Sequence, residues 1–362
     1  MKMVKLVVCA VLGAGLSVLA EPLALNPIFT DHMVVAEGQF LRVFGTGEGM
    51  VSVAFRGAKA QTASKGGAWC VELPAGAAGG PFTLEVDLGG AKRTLADVHV
   101  GEVLVMAGQS NLQFMLRETG TKPETWQGNP LIRSYALPRP EAGAPFGPKD
   151  GWVPLTQANA GSWSAVGYYV ALRRAAKRPG VAIGVVSCFQ GASTIQGWMP
   201  AALANDPKFK LPAGGRYHFD HTYKRYLVWN TPGALYTKTF RQLVPYAVSH
   251  ITWYQGESNT GPLESEVYPQ LFAAMAKQWR TDLRKADLPF TVVQIADLCH
   301  RRDADWKALQ DAQLRIPSIC PHVTVVKSAD VCESNNIHPK TKSRLSERIA
   351  ATIPNGKLRT EN

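Results

Sequence analysis

The 362-residue sequence predicts an α/β fold with a mostly parallel sheet, preceded by a small antiparallel β-sandwich. Residues 25–98 hold short segments in which apolar and polar residues alternate, with no helical period. Beyond Gly101, continuous apolar runs alternate with stretches of helical spacing, the pattern of strands joined by crossover helices. Most of those runs end in a polar or glycine-containing turn, as at the functional edge of a doubly wound sheet.

The first segment stands apart from this fold. Two lysines within Met1–Lys5, the apolar stretch Leu6–Ala20 and the small-residue ending Val18-Leu19-Ala20 read as a secretory signal over residues 1–20. No later segment is long enough to span a bilayer, so no stable membrane insertion is expected after its removal. Residues 21–98 form the expected β-sandwich, with strands at Gln39–Phe44, Val51–Phe55, Ala68–Leu73 and Phe82–Val86 separated by glycine turns such as Gly66-Gly67. Residues 99–362 form the α/β part, with strands at Val103–Ala107, Val181–Ser187, Ser249–Tyr254, Phe290–Ile295 and Val323–Val326. Helices are expected over Ser164–Arg178 and Glu264–Arg284, where Leu271, Met275 and Trp279 stack at i, i+4 and i+8 as core residues. Residues 117–163, rich in proline, glycine and tryptophan, read as long substrate-facing loops, and residues 200–232 look similar.

The formal charge of +11 falls to +9 when Lys2 and Lys5 leave with the signal. The basic residues are scattered in short clusters without interleaved aromatics, which argues against a nucleic-acid partner and fits an acidic glycan or an anionic envelope. Five cysteines remain after Cys9 is lost, and no C-x-x-C pair indicates a zinc site. Cys299, Cys320 and Cys332 are candidates for one disulfide; Cys188, ending an apolar run, is expected to be a buried small hydrophobe.

The chemistry is concentrated in four turns: Gly108-Gln109-Ser110-Asn111, Ser187 to Ser193, Gln255-Gly256-Glu257-Ser258-Asn259, and Asn335-Asn336-Ile337-His338-Pro339. Ser110 would leave a buried strand where a helix begins, a place suited to a nucleophile and equally to an N-cap. A serine needs a base, and His338 is the candidate, with His300 and His322 as the other histidines open to the role. An oxyanion would need preorganised donors: the amides of Ser110 and Gly191, with the side-chain amide of Gln255 or Asn259. Gln109 and Trp198 are candidates for substrate binding, and Glu257 either for orienting His338 or for holding its turn together through hydrogen bonds. Nothing in the residues calls for a metal or a cofactor.

The combination of Gly108-Gln109-Ser110-Asn111, Trp253 to Asn259 and Ile337-His338-Pro339-Lys340 resembles the sialate O-acetylesterase family, a branch of the SGNH (GDSL-like) hydrolases. Leu25 to Phe29, Asp31 to Val34, Trp163 to Tyr168 and Gly191 to Trp198 extend the resemblance over nearly all the mature chain. It implies an SGNH-type three-layer domain and metal-independent hydrolysis of O-acetyl esters on sugars by a serine and a histidine. Two departures stand out. Members usually carry an aspartate just before Ile-His-Pro, whereas this chain has Asn335 and Asn336, and Thr237-Lys238 replace an asparagine and small residues. An asparagine orients an imidazole without stabilising the imidazolium as a carboxylate does. The chain therefore reads as a Ser110-His338 dyad, or as a triad completed by Glu257, Asp330 or Glu333. The competing readings are an acetylxylan or other polysaccharide acetylesterase, and a glycan-binding protein with weakened turnover.

Overall fold

The structure, a computed structural model, describes residues 21–139, 151–211, 219–220, 225–299 and 304–355. The expected signal segment and His300 lie outside the described residues. The chain folds as a mixed α/β protein with a large, mostly parallel sheet and an antiparallel one.

Strands β1 (Ala24–Leu25), β2 (Val34–Ala36), β3 (Phe40–Thr46), β4 (Met50–Phe55), β5 (Ala58–Ala63), β6 (Ala68–Pro74) and β7 (Gly79–Leu88) precede the long β8 (Ala91–Gly108). There follow β9 (Asn129–Ala136), β10 (Val153–Leu155), β11 (Ala182–Phe189), a small pair β12 (Phe219–Asp220) and β13 (Arg225–Tyr226), then β14 (His250–Tyr254), β15 (Phe290–Val293) and β16 (Val323–Val326). The helices are α1 (Ser110–Gln113), α2 (Gln157–Ala160), α3 (Ala165–Lys177), α4 (Ala201–Ala204), α5 (Ala234–Lys238), α6 (Pro262–Asp282), α7 (Ala304–Arg315) and α8 (Lys342–Thr352).

Strand β8 organises the molecule. Its first half pairs antiparallel with β7, and its second half pairs parallel with β11 on one side and β14 on the other. One continuous strand thus runs through the boundary expected at 98/99, and the N-terminal part and the α/β part share it. The strand order is β10-β9-β11-β8-β14-β15-β16, which puts β8 at the centre of the parallel region. Side chains alternate across a strand, and in β8 they feed two different cores. Val103, Val105 and Ala107 join a cluster with Leu271, Met275 and Trp279 of α6, while Leu104 and Met106 join Val166 and Val170 of α3 and Leu345 of α8. In register, Gly108 stands opposite both Phe189 and Tyr254, so three parallel strands end level and release their polar turns at one edge.

The expected parallel strands and both long helices agree with the structure to within a few residues, apart from the much longer β8. Strand β9 is an addition: it lies within the stretch read as loop, because Pro130 and Arg133 interrupt its apolar signal. Arg133 is buried there and donates to Asp97 Oδ1 at 3.1 Å and to the carbonyls of His32 and Asp97 at 3.1 and 2.6 Å. The cysteines differ too. Among the described residues no disulfide joins any two of Cys70, Cys188, Cys299, Cys320 and Cys332, so the bridge expected within Cys299, Cys320 and Cys332 is not made.

A second buried arginine fastens the residues that follow α8 to the sheet. Arg174 of α3 is 0% exposed, grips Glu102 of β8 through Nε and a terminal nitrogen at 2.9 and 2.6 Å, and donates to the carbonyls of Ile353 and Pro354. Without Arg174 the buried Glu102 keeps the Arg178 guanidinium at 3.0 Å but loses two charged bonds, and the Ile353 and Pro354 carbonyls lose a buried donor. Arg174→Met is therefore expected to lower unfolding free energy by about 3–5 kcal/mol, read as a shifted urea midpoint; an unshifted midpoint contradicts this.

Candidate active site

The serine turn is fixed by its neighbours. Gly108 has φ +142°, and a Cβ on it would stand 2.2 Å from the Tyr254 carbonyl oxygen, so only glycine fits where β8 passes β14. Gln109 N donates to that carbonyl at 3.0 Å, and the Gln109 side-chain oxygen accepts from Gly256 N at 3.2 Å. Gln109 is the N-cap of α1 and Ser110 its first helical residue, which removes the N-cap reading of Ser110. Ser110 Oγ lies 2.8 Å from His338 Nε2.

His338 sits between β16 and α8, held by its backbone: His338 N donates to Asn336 Oδ1 at 2.9 Å, and Asn111 Nδ2 donates to the preceding Ile337 carbonyl at 3.0 Å. The Phe114 ring faces the imidazole with 6.1 Å between centroids. Burial, and then the Lys342 ammonium, hold the imidazole below its ordinary pKa, and the Glu118 carboxylate opposes them. No described carboxylate is hydrogen-bonded to the His338 ring. Asp330 is paired with Arg348 at 2.6 Å, and Glu333 accepts from the amides of Lys340 and Thr341. His322 lies at the start of β16, on the opposite edge of the sheet, and takes no part.

Glu257 does not reach the imidazole either, which corrects the orienting alternative and leaves the one in which it holds the turns together. Its Oε1 accepts from Asn111 Nδ2 at 2.6 Å, and its Oε2 is shielded from solvent without a hydrogen-bond partner. Burial pushes the Glu257 carboxyl up, against the Asn111 hydrogen bond and the Lys342 charge. On the other side of Asn111, the buried Lys342 donates from Nζ to Oδ1 at 2.6 Å and lies over the rings of Phe114 and Tyr254 at 5.1 and 5.7 Å. Burial pulls this ammonium down to about 8. Asn111 thus ties an acid, a base and the His338 loop together behind the serine.

The amides expected around an oxyanion are arranged differently. The Ser110 amide belongs to the first turn of α1, where no intrahelical acceptor exists. Gly191 adjoins it, since a Cβ there would be 3.6 Å from Ser110 Cβ, but its N donates to Gln113 Oε1 at 2.7 Å. Gln255 and Asn259 are buried braces: Gln255 Nε2 donates to Ser193 O and Asn259 Oδ1, and Asn259 Nδ2 donates to Gln196 Oε1. Neither amide is free for an oxyanion. Trp198 is 0% exposed, donates to Ser193 Oγ at 3.0 Å and packs edge-on against Trp253 and Trp279, so it is a core residue and not a sugar platform. Gln109, also buried, holds the Gly256 turn and offers no face to a substrate. Among the described residues no three His, Cys, Asp or Glu side chains are arranged to hold a metal ion.

Residues 100–353 match the family model described as carbohydrate esterase, sialic acid-specific acetylesterase. The chain belongs to this family. The esterase is similar to a carbohydrate acetylesterase from Xanthomonas citri, at 30% identity and a TM-score of 0.76 over 91% of this chain and 74% of that one. A protein from Arabidopsis thaliana is a looser likeness, at 17% identity and a TM-score of 0.44 over 70% of this chain and 96% of that one. No curated protein matches the sequence of the esterase.

Several residues of the esterase's site carried no sequence signal of their own. Gln113 looks like an ordinary first-turn residue, and Lys342 like the start of a solvated helix. Glu118 caps the turn after α1 through Met115 N. Arg139 reaches Gln190 Oε1 at 3.5 Å, beside Gly191, and no spacing rule links it to that turn.

Proposed function

We propose that this esterase is secreted and removes O-acetyl groups from sugar hydroxyls by a Ser110-His338 dyad, within an SGNH-type three-layer domain that follows a β-sandwich. The observation that carries the reading is the 2.8 Å contact between Ser110 Oγ and His338 Nε2 at the level ends of three parallel strands. Residues 1–20 support secretion by their composition alone. Ser110 attacks the acetyl carbonyl as its proton passes to Nε2. The Ser110 amide receives the oxyanion at the positive end of α1. The Gly191 amide joins it when the substrate displaces Gln113 Oε1. Collapse returns the proton to the departing sugar oxygen and leaves acetyl-Ser110, which a water activated by His338 cleaves to acetate.

Lys342 sets the working range of this base. An ammonium near the imidazole disfavours its protonation, so removing that charge raises the His338 pKa. Lys342→Met is expected to move the acid limb of kcat/KM to higher pH, with activity lost near pH 5–6 and largely kept near pH 8. An unmoved limb contradicts the assignment.

An acidic sugar fits better than acetylated xylan. The matched family model is that of sialic acid-specific acetylesterases, and the charge of +9 left after loss of the signal suits an anionic glycan. KM is expected to be lower for O-acetylated sialic acid than for acetylated xylan and to rise with added salt for the former only; equal values that do not move with salt favour the polysaccharide reading. A second reading, glycan binding with little turnover, draws on Asn335, Asn336 and the absence of a carboxylate at the ring among the described residues. Binding of O-acetylated sialic acid without acetate release, unchanged in Ser110→Ala, is the result that favours it.

A further inference from the structure

A cleft of about 260 Å³ opens on the outer side of α3, walled by Trp126, Gln127, Tyr168, Tyr169, Arg173 and Ser343. None of these residues belongs to the serine turn, the histidine loop or the network behind them. Three aromatic side chains meet here, and the polar atoms of Trp126 and Tyr168 are already engaged within the protein. Trp126 Nε1 donates to Thr121 Oγ1 at 3.0 Å, and the Tyr168 hydroxyl accepts from Gln127 N at 2.8 Å. The Trp126 ring is pinned as well: a Cβ on Gly161 would stand 2.5 Å from its six-membered ring. Tyr169 packs edge-on against Tyr168 at 5.1 Å. Trp126 and Tyr169 remain half-buried, so apolar surface stays at the cleft in a fixed arrangement. Arg173 completes the wall, lying 6.0 Å over the Tyr169 ring and donating to Ser343 Oγ at 3.1 Å.

We infer that this cleft binds one pyranose ring of the glycan, away from the acetylated sugar. Rings fixed before binding lose little conformational freedom, and an aromatic face matches the apolar C–H face of a sugar. Arg173 and Ser343 supply a cation and a hydroxyl to the sugar's own hydroxyls at the rim. The volume lies just below the roughly 300–1,000 Å³ of drug-sized sites, which suits a single ring. In sequence Ser343 follows Lys342, and Trp126 comes six residues after Gly120, which ends the turn capped by Glu118. The inference rests on the proposed glycan substrate, and its test does not depend on turnover.

The probe is sialyllactose, which carries no acetyl group, titrated calorimetrically into the full chain, with aryl acetate hydrolysis measured on the same preparations. Wild type is expected to bind. Trp126→Ala and Tyr169→Ala should weaken binding at least tenfold, Trp126→Phe should retain most of it, and all three should hydrolyse the aryl acetate as wild type does. Binding weakened in the alanine variants while no preparation hydrolyses the ester supports the cleft and removes the esterase mechanism. Equal Kd in wild type and both alanine variants, loss of binding in Trp126→Phe as severe as in Trp126→Ala, or no binding by wild type overturns the proposal.

Discussion

Ser110→Ala and His338→Ala are each expected to lower the hydrolysis of an acetylated sugar by at least about 10³-fold, with little change in KM. The expectation follows from the geometry. Ser110 Oγ has a single side-chain partner, His338 Nε2 at 2.8 Å, so the nucleophile loses its base when the ring is removed and the base loses its object when the hydroxyl is removed. Groups that act as one unit are not additive. The double variant should therefore be no slower than the slower single variant, and kcat measured on all three tests this. A double variant that is slower by the product of the two single effects contradicts a dyad. Structural damage from Ser110→Ala is expected to be small, because the turn is held by Gly108, Gln109 and the Tyr254 carbonyl rather than by the hydroxyl.

Asn336→Asp is expected to raise kcat on the order of tenfold, against the approximately 10⁴-fold that a missing acid costs in serine proteases. Asn336 already holds its side-chain oxygen 2.9 Å from the His338 backbone nitrogen, so an aspartate keeps that bond with one oxygen and brings a charge beside the imidazole with the other. A carboxylate there stabilises the imidazolium formed during attack and raises the His338 pKa, which burial and Lys342 hold down. The gain in kcat should come with a move of the acid limb to higher pH. If kcat and the limb both stay where they are, Asn336 serves only to shape the loop and the missing acid is not what restrains the enzyme.

The parallel strands were legible in the sequence because their apolar runs are continuous and end in polar turns, and α6 was legible because Leu271, Met275 and Trp279 keep strict spacing. The unity of β8 was not, since its first half is exposed and polar and its second half wholly buried, so one strand reads as two. At the site, the position of Ser110 was readable from the abrupt end of an apolar run. The functions of the neighbouring amides were not, because a polar residue in a turn can face the cleft or the interior with the same local pattern. Gln255 and Asn259 face inward to brace one another, and Trp198 is drawn into the core by Trp253 and Trp279. The network of Asn111, Glu257 and Lys342 joins residues from three distant segments, and no local pattern contains it.

The most direct measurement is the covalent intermediate. The full chain is mixed with an aryl acetate, quenched with acid within the first turnover, and its peptides are weighed by mass spectrometry. The account predicts the mass of one acetyl group on the peptide bearing Ser110, present in wild type and missing from Ser110→Ala. Aryl acetate turnover with no acetylated peptide at any quench time, or with the acetyl group on another residue, would contradict it.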